Sequence, residues 1–515
     1  MRTTESMRLE DLIQRAPGSK IHYPASQAGA EVNHISDDSR QISDYSIFVL
    51  SALGRPWAGT VLQNTRALLL LESSQLKLVG DAELPAERLL VCDDLKKAQG
   101  FLASALYGHP SHSLRITGIT GTNGKTSIAW LLRHLWQTRG IAWGMIGTLG
   151  VQWQGTQGLI RLQTGYTTPR APELQAILQR MQQDGVHQVA MEASSEALDL
   201  GRLEGVQLQT AVFTNLSQDH LDHHRSMEAY YLAKRHLFDL IRPGGQAIIY
   251  AGQDTEVWNR RLIADLEGDR GRKEIAIRVL EAQHVPAAVG FPGFNRINAA
   301  LALAVSQPEL PMDQIQISPL TAAWPAIPGR MQKMTPNRMT PSPLFGIVDY
   351  AHTPDALERC LQAVREMKVM FLICVFGCGG DRDPGKRPLM GKVADRLADM
   401  VLICDDNPRT EDPASIRAAI LSGIQTPLAD VDLFQSAQMH MLPELPRSSL
   451  IFEIADRRAA IEQAVEWART IVAGSKGPVA VVVAGKGHED YQIYGRQKTP
   501  FSDQAVLQAA LDQGI

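Results

Sequence analysis

From about residue 108 the chain alternates short apolar runs with helical stripes. The run "SLRITGIT" reads as a strand, and in the segment after it Ile128, Leu131, Leu132, Leu135 and Trp136 fall at the spacing of one helix face. "HQVAME" and "TAVFTNL" read as the next strands. Strands alternating with helices imply βαβ units and a parallel sheet. A second series starts near residue 344, with "LFGIVDYA", "VMFLICVFGCGG", "MVLICDD", "SLIFEI" and "GPVAVVVAG" as strands. Thr353-Pro354 and Asp412-Pro413 supply an N-cap followed by a proline at the first helical position, so helices start there. Between the two series lies "MQKMTPNRMTPSP", rich in proline and polar residues, which reads as a domain boundary. The first 107 residues carry a weaker pattern and read as a separate small α/β domain. The expectation is an α/β protein of three domains, at 1–107, 108–334 and 335–515.

Composition narrows the class. A chain of 515 residues exceeds one ordinary core, and 44% apolar with 21% charged residues is the balance of a soluble globular protein. The net charge of −4 gives no reason to expect bulk nucleic-acid binding. The N-terminus "MRTTESMRLEDLIQRAPG" lacks the apolar core of a secretory signal, and no apolar run approaches the roughly 18 residues of a membrane span. A cytoplasmic location is expected. Cys92, Cys360, Cys374, Cys378 and Cys404 form no C-x-x-C pair, so they read as buried reduced thiols rather than a zinc site.

The segment "GITGTNGKTSIAW" departs from the usual G-x-x-x-x-G-K-[ST] loop. Ile119 stands where the first glycine belongs, and glycines occupy 118 and 121 instead. A glycine-rich turn between a strand and a helix still presents N–H groups and a helix N-terminus to an anion. Gly121, Thr122, Asn123, Gly124, Lys125 and Thr126 are therefore candidate ATP contacts, with Lys125 reaching the terminal phosphates and Thr126 holding Mg²⁺. Downstream, Glu192 ends a strand. It reads as a second Mg²⁺ contact or as an exposed strand-end carboxylate. His220 lies in the crowded run "DHLDHH". Met227, Tyr230, Tyr231, Lys234, Leu237 and Phe238 share one helical stripe, which puts Lys234 on an apolar face. Periodicity alone reads Lys234 as a snorkelling side chain.

These motifs, with "GFPGFNRINAALALA", "IPGRMQ" and "IVDYAHTPDAL", together resemble the Mur ligase family, which includes the folylpolyglutamate synthetases. The resemblance covers roughly residues 115–505. It implies a UDP-binding N-terminal domain, a P-loop ATPase-like central domain and a Rossmann-like C-terminal domain. It implies ATP as co-substrate and Mg²⁺ held by Thr126, Glu192, His220 and Lys234, with Lys234 N-carboxylated by CO₂. Burial favours the neutral amine that carboxylation requires, and the product is an anionic oxygen ligand suited to Mg²⁺. Lys125, Glu192, His220 and Lys234 are the implied catalytic set. Asn295, Asn298, Arg330, Asp349 and His352 are implied as further ATP contacts.

"GCGGDRDPGKRP", "DDNPR" and "AGKGHEDYQ" are similar to the diaminopimelate-adding branch of the family. That branch joins meso-diaminopimelate to the D-glutamate of UDP-N-acetylmuramoyl-L-alanyl-D-glutamate in peptidoglycan synthesis. "DDNPR" follows a strand, at the edge where doubly wound sheets bind ligands. Arg409, with Asn407 nearby, could hold the distal carboxylate that lysine lacks. The resemblance adds Arg382, Asp406, Pro408, Gly485 and Glu489 on the amino-acid side. It adds Ser39, Thr167, Thr168, Ser194 and Arg202 on the UDP-sugar-peptide side. Three departures cluster on that second side. Glu196 replaces a histidine, Leu200 replaces a glutamine, and Arg55, Pro56 and Trp57 occupy an expected uridine contact. The alternatives are a ligase for L-lysine or for a folate or polyglutamate acceptor, and a non-catalytic nucleotide-binding subunit. A monomer that closes around its substrates is expected.

Overall fold

The computed structural model describes residues 6–76, 84–252, 257–269, 274–285, 293–315, 324–337, 342–429, 450–474 and 477–513. The proline-rich boundary stretch falls partly outside them, at 338–341. The chain divides into two compact units. The first comprises Met1–Leu216, Met227–His284 and Leu301–Gln316, and the second Ser217–Ser226, Val285–Ala300 and Ile317–Ile515.

In the first unit, the N-terminal part builds a five-stranded sheet from Ile21–His22, Leu89–Cys92, Leu68–Glu72, Ser46–Val49 and His34–Ser36. The helix Leu95–Leu106 follows it, capped by the Asp94 carboxylate accepting from the Lys97 N–H. An eight-stranded sheet lies beyond, in the order Gly158–Leu162, Gly150–Gly155, Trp143–Gly147, Gln188–Glu192, Arg115–Thr120, Leu208–Phe213, Ile241–Ala251, Ala276–Glu281. Its inner strands are parallel, as the alternation requires. Its edge is not: Gly150–Gly155 pairs antiparallel with both neighbours. Gly150 and Gly158, with φ of 84° and 88°, take the left-handed turns that fold this meander, a geometry glycine adopts without steric cost. The helix Lys125–Thr138 buries Ile128, Leu131, Leu132, Leu135 and Trp136, the face read from periodicity.

The second unit carries a six-stranded sheet in the order Gln332–Met334, Leu344–Asp349, Val479–Ala484, Phe371–Phe376, Met400–Ile403, Leu450–Glu453. All pairings are parallel except the edge strand Gln332–Met334. Alternate residues of the central strand enter different cores. Val481 and Val483 pack with Ala464, Trp467 and Leu507, while Ala480 and Val482 pack with Leu357, Leu361 and Met390. Covering both faces explains why these strands are apolar at every position. Asp349 and Phe376 both pair with Ala484, and Phe376 with Ile403, so the strands end level and their loops emerge at one edge.

All five cysteines are buried and free, as their spacing suggested. Among the described residues no helix is long and apolar enough to cross a membrane.

Candidate active site

The glycine loop begins where strand Arg115–Thr120 ends. Gly121 has φ 141°, and a Cβ there would run into the Thr214 hydroxyl. Gly124, at φ 92°, opens the helix. The far wall of the loop is the segment after strand Leu208–Phe213. Thr122 N–H donates to Asn215 O (2.9 Å), Asn123 N–H to Asn215 Oδ1 (3.0 Å), and Thr214 Oγ1 to Asn123 O (2.6 Å). Lys125 Nζ folds back onto Gly121 O (2.7 Å) and Thr122 O (2.9 Å). The segment Thr214–Asn215 thus fixes the shape of the loop, and Gly124 sets a helix N-terminus at its end, the kind of place where an anion binds.

Glu192 is buried, not an exposed strand end. Strand pairing sets it level with Ile119, and its carboxylate accepts from Thr126 Oγ1 (2.9 Å), Thr148 N–H (2.9 Å) and Thr148 Oγ1 (3.0 Å). A Cβ on Gly147 would collide with that carboxylate. Thr126 and Glu192 bring two hard oxygen donors together out of solvent, a donor set that fits Mg²⁺. Lys234 is 1% exposed, so the periodicity-based reading of a snorkelling lysine does not hold. Its Nζ donates to Gly121 O (2.9 Å) and lies 4.5 Å from the centre of the Tyr230 ring, whose hydroxyl is 3.1 Å from Thr122 Oγ1. The structure therefore brings Lys125, Thr126, Glu192 and Lys234 to one loop. His220 belongs to the second unit, at φ 53°, beside Asp219. Among the described residues no three His, Cys, Asp or Glu side chains form a ready metal cage.

On the acceptor side, Thr168 Oγ1 donates to Glu192 O (2.8 Å), Ser194 N–H to Thr168 Oγ1 (3.3 Å), and Arg202 to Thr168 O (2.8 Å). Thr167 Oγ1 is 3.3 Å from Thr148 Oγ1. The Ser194 hydroxyl caps the short helix Ser195–Asp199. Ser39 lines a cavity of about 750 Å³ in the same unit, with Ser36, Asp37, Trp57, Tyr166 and Arg170 on its walls. Asp37 and Arg170 pair at 2.7 Å, and both Arg170 and Arg202 lie over the Tyr166 ring. Of the divergent positions, Trp57 faces this cavity, whereas Leu200 is 40% exposed.

In the second unit, Asn295 and Asn298 are buried and bonded to each other (3.0 Å). Asp349 accepts from Met331 N–H (2.6 Å) and Ala351 N–H (2.8 Å). Burial nonetheless pushes its pKa up, against Arg330 and these donors. Arg330 stacks on Tyr350 at 4.2 Å, and His352 packs edge-on against the same ring. Burial and the nearby Lys386 lower His352 to about 4. Burial opposes ionisation of Asp219, but His220, His352 and Lys386 hold its carboxyl below the usual range.

The loops at 405–409 and 485–493 form one cluster. Asn407 Nδ2 donates to Glu489 Oε2 (2.9 Å), and Asn407 Oδ1 accepts from Ile493 N–H (3.0 Å). Arg409 takes φ 51° and donates to Gly380 O (2.6 Å). It is half-buried. Arg382 is exposed. Gly485, φ 117°, leaves room for Asp406, whose Oδ2 would lie 2.6 Å from a Cβ there. Reading by motif missed Thr148, Asp37, Arg170 and Lys486. Asp37 stands two residues before Ser39, Arg170 two after Thr168, and Lys486 inside "AGKGHEDYQ", so their neighbours were the available signal.

The Mur ligase middle domain matches residues 119–305, and the Mur ligase glutamate ligase domain matches 329–487. A UDP-N-acetylmuramoyl-L-alanyl-D-glutamate–2,6-diaminopimelate ligase of Leptospira interrogans is 34% identical over 98% of this chain and 99% of its own length. The enzyme of that name from Thermosynechococcus vestitus is 38% identical over 83% of this chain and 82% of its own. A solved structure of a ligase of the same name superposes with a TM-score of 0.59 at 29% identity, covering 95% of this chain and 96% of the other. Mycobacterium tuberculosis folylpolyglutamate synthase complexed with ADP shares the fold, with a TM-score of 0.53 at 17% identity over 74% of this chain and 90% of the other.

Proposed function

The chain belongs to the Mur ligase family, and from that premise we propose that it joins meso-diaminopimelate to UDP-N-acetylmuramoyl-L-alanyl-D-glutamate at the expense of ATP. The observation that carries the amino-acid assignment is the mixed-charge cluster of Asp406, Asn407, Arg409, Lys486 and Glu489. It offers cationic and anionic groups to a ligand end that carries both an ammonium and a carboxylate.

In this reading the triphosphate lies on residues 121–126. The side-chain carboxylate of D-glutamate attacks the γ-phosphorus, the bond to the β-phosphate oxygen breaks, and ADP leaves behind an acyl phosphate. Lys125 exchanges its two carbonyl partners for phosphate oxygens and stabilises charge on the transferring group. Thr126, Glu192, His220 and an N-carboxylated Lys234 are the residues that would hold Mg²⁺. The ion would offset the repulsion between carboxylate and triphosphate. Asn295, Asn298, Arg330, Asp349 and His352 are assigned to the rest of the nucleotide. Ser39, Thr167, Thr168, Ser194 and Arg202 are assigned to the UDP-linked peptide. The free amine at the L-centre of diaminopimelate then attacks the acyl carbon, phosphate leaves, and an amide remains. The domain limits 1–107, 108–334 and 335–515, a monomeric state and a cytoplasmic location belong to the same proposal.

Phosphate release tests it. With ATP, Mg²⁺ and the UDP-linked dipeptide, meso-diaminopimelate is expected to support turnover, and L-lysine and L-ornithine are not. Equal use of lysine sinks the amino-acid assignment. Amide formation without any UDP-linked acceptor favours a folate-type reading. No phosphate release with every reactant present leaves a nucleotide-binding protein without ligase activity.

A further inference from the structure

Lys486 is a cation at the centre of the amino-acid cluster, and it is 0% exposed. Its Nζ lies 3.2 Å from Asn407 Oδ1, 3.3 Å from Glu489 Oε2 and 3.7 Å from Asp406 Oδ1, and 5.5 Å from the centre of the Tyr491 ring. Asn407 is fixed from both ends. Its Oδ1 receives Lys486 and the Ile493 N–H, while its Nδ2 donates to Glu489. Reversing that amide would set NH₂ against an ammonium and an N–H, so these two donors dictate its orientation. Burial holds the Glu489 pKa above its ordinary value; Lys486 opposes that only in part, and Asp406 adds to it. Two carboxylates face the one fully buried ammonium, while Arg409, the other cation of the cluster, is half-buried and donates to Gly380 O, so the buried part of the ionised cluster is one positive charge short of balance. A buried carboxylate without a counter-charge is costly. A ligand that brings one ammonium completes the balance, and Arg409 stands beside it for a neighbouring carboxylate.

We propose that Lys486 is a positioning residue for the amino-acid substrate: it orients Asn407 and Glu489 and cancels one of two carboxylates, so that the site is completed by a single ammonium of a diamino acid. This rests on the ligase reading above. Lys486 need not touch the ligand, since it acts through Asn407 and Glu489.

The test is steady-state ligation by the full chain, varying each substrate in turn. Lys486→Met is expected to raise KM for meso-diaminopimelate about tenfold or more, the scale of a lost hydrogen bond to a charged group. KM for ATP and for the UDP-linked dipeptide is expected to stay within about twofold, and Lys486→Arg is expected to recover part of the loss. If Lys486→Met does not fold, the double variant Lys486→Met/Glu489→Gln removes the charge left unbalanced. It is expected to fold and to show a higher KM for diaminopimelate than Glu489→Gln alone, because Asn407 has also lost its Lys486 donor. An unchanged KM for diaminopimelate in Lys486→Met, or a double variant no worse than Glu489→Gln alone, overturns the inference. So does a uniform rise in all three KM values, or a Lys486→Arg no better than Lys486→Met, because each marks a structural role. If the wild-type chain ligates other amino acids but not diaminopimelate, the ligase reading itself has failed. A wild type that uses diaminopimelate alongside an indifferent Lys486→Met condemns this inference alone.

Discussion

The glycine loop at residues 121–126 and the cluster around Asn407 both sit at the carboxyl ends of parallel strands, the edge where open α/β sheets bind ligands. They are held together by different parts of the chain. In the loop the partners are mostly backbone: the carbonyls of Gly121, Thr122 and Asn215, and the amides of Thr122 and Asn123. In the cluster the partners are mostly side chains. Lys486 reaches Asn407 across 79 residues of sequence, and Asn407 reaches Glu489 across 82. A site made of backbone is sensitive to backbone shape. A site made of charged side chains is sensitive to charge balance. The two should therefore fail in different ways.

The largest effect is expected in the loop. Lys234→Ala removes the buried amine from Gly121 O, and product formation is expected to fall by about a thousandfold or more, the scale of losing one electrostatic group at a reacting phosphate. Excess bicarbonate is not expected to restore it. Gly121→Ala keeps every side chain named in the site and is expected to do comparable damage, because its Cβ meets Thr214 and its φ of 141° suits glycine. Phosphate release measures both. A Gly121→Ala enzyme near wild-type rate would break the claim that the loop depends on backbone shape.

The same contrast governs what could be read from sequence. The loop was legible because a strand, a glycine turn and an amphipathic helix are local signals. Lys234 was visible because a charged residue inside an apolar stripe stands out. The antiparallel edge at Gly150–Leu162 was not, since a meander of short strands with two glycine turns resembles a loop in a βαβ series. Nor was the pair of Asp37 and Arg170, 133 residues apart. Thr148 lies 44 residues from Glu192 and carries no charge to attract notice. Alternation along the chain also gave no sign that 217–226 and 285–300 would belong to the second unit, because their sequence continues the first series.

The second unit offers a test of charge balance at the level of folding. Arg457 and Asp503 form an ion pair whose side chains are both 0% exposed, and Arg457 also donates to Ala484 O (2.9 Å) at the strand end that leads to Lys486. Asp503→Ala leaves a buried guanidinium without its counter-ion and is expected to cost about 3–5 kcal/mol, read by denaturant unfolding. A loss below about 1 kcal/mol would mean that water or another carboxylate reaches Arg457.

Arg409→Lys is a smaller and more specific change. The charge stays, but the forked geometry that matches a carboxylate is lost. The ratio of kcat/KM for meso-diaminopimelate over L-lysine is expected to fall about tenfold to a hundredfold, with KM for ATP unchanged. Unaltered selectivity would remove Arg409 from the amino-acid site and weaken the contrast between a shape-held loop and a charge-held cluster.

The smallest expected effect sets one histidine of each unit against the other. His236, in the first unit, is raised to about 9, chiefly by its hydrogen bonds to Asp239 and Glu204. Because the folded state holds that proton more tightly than the unfolded chain, the stabilisation is complete below about pH 6.5 and disappears as pH rises through about 9. His352, in the second unit, is lowered to about 4, chiefly by burial. There the unfolded chain takes the proton first, so stability is lost as pH falls from about 6.5 to about 4. His236 is one-third exposed, so solvent screens its ion pairs, and a shift in Tm of a few degrees is the expected scale. Thermal unfolding across pH 4 to 10 is expected to show His236→Asn flattening the alkaline limb and His352→Asn flattening the acid limb. If either substitution flattens the other's limb, or neither changes its own, then the two units do not carry the separate electrostatic balances that their partners describe.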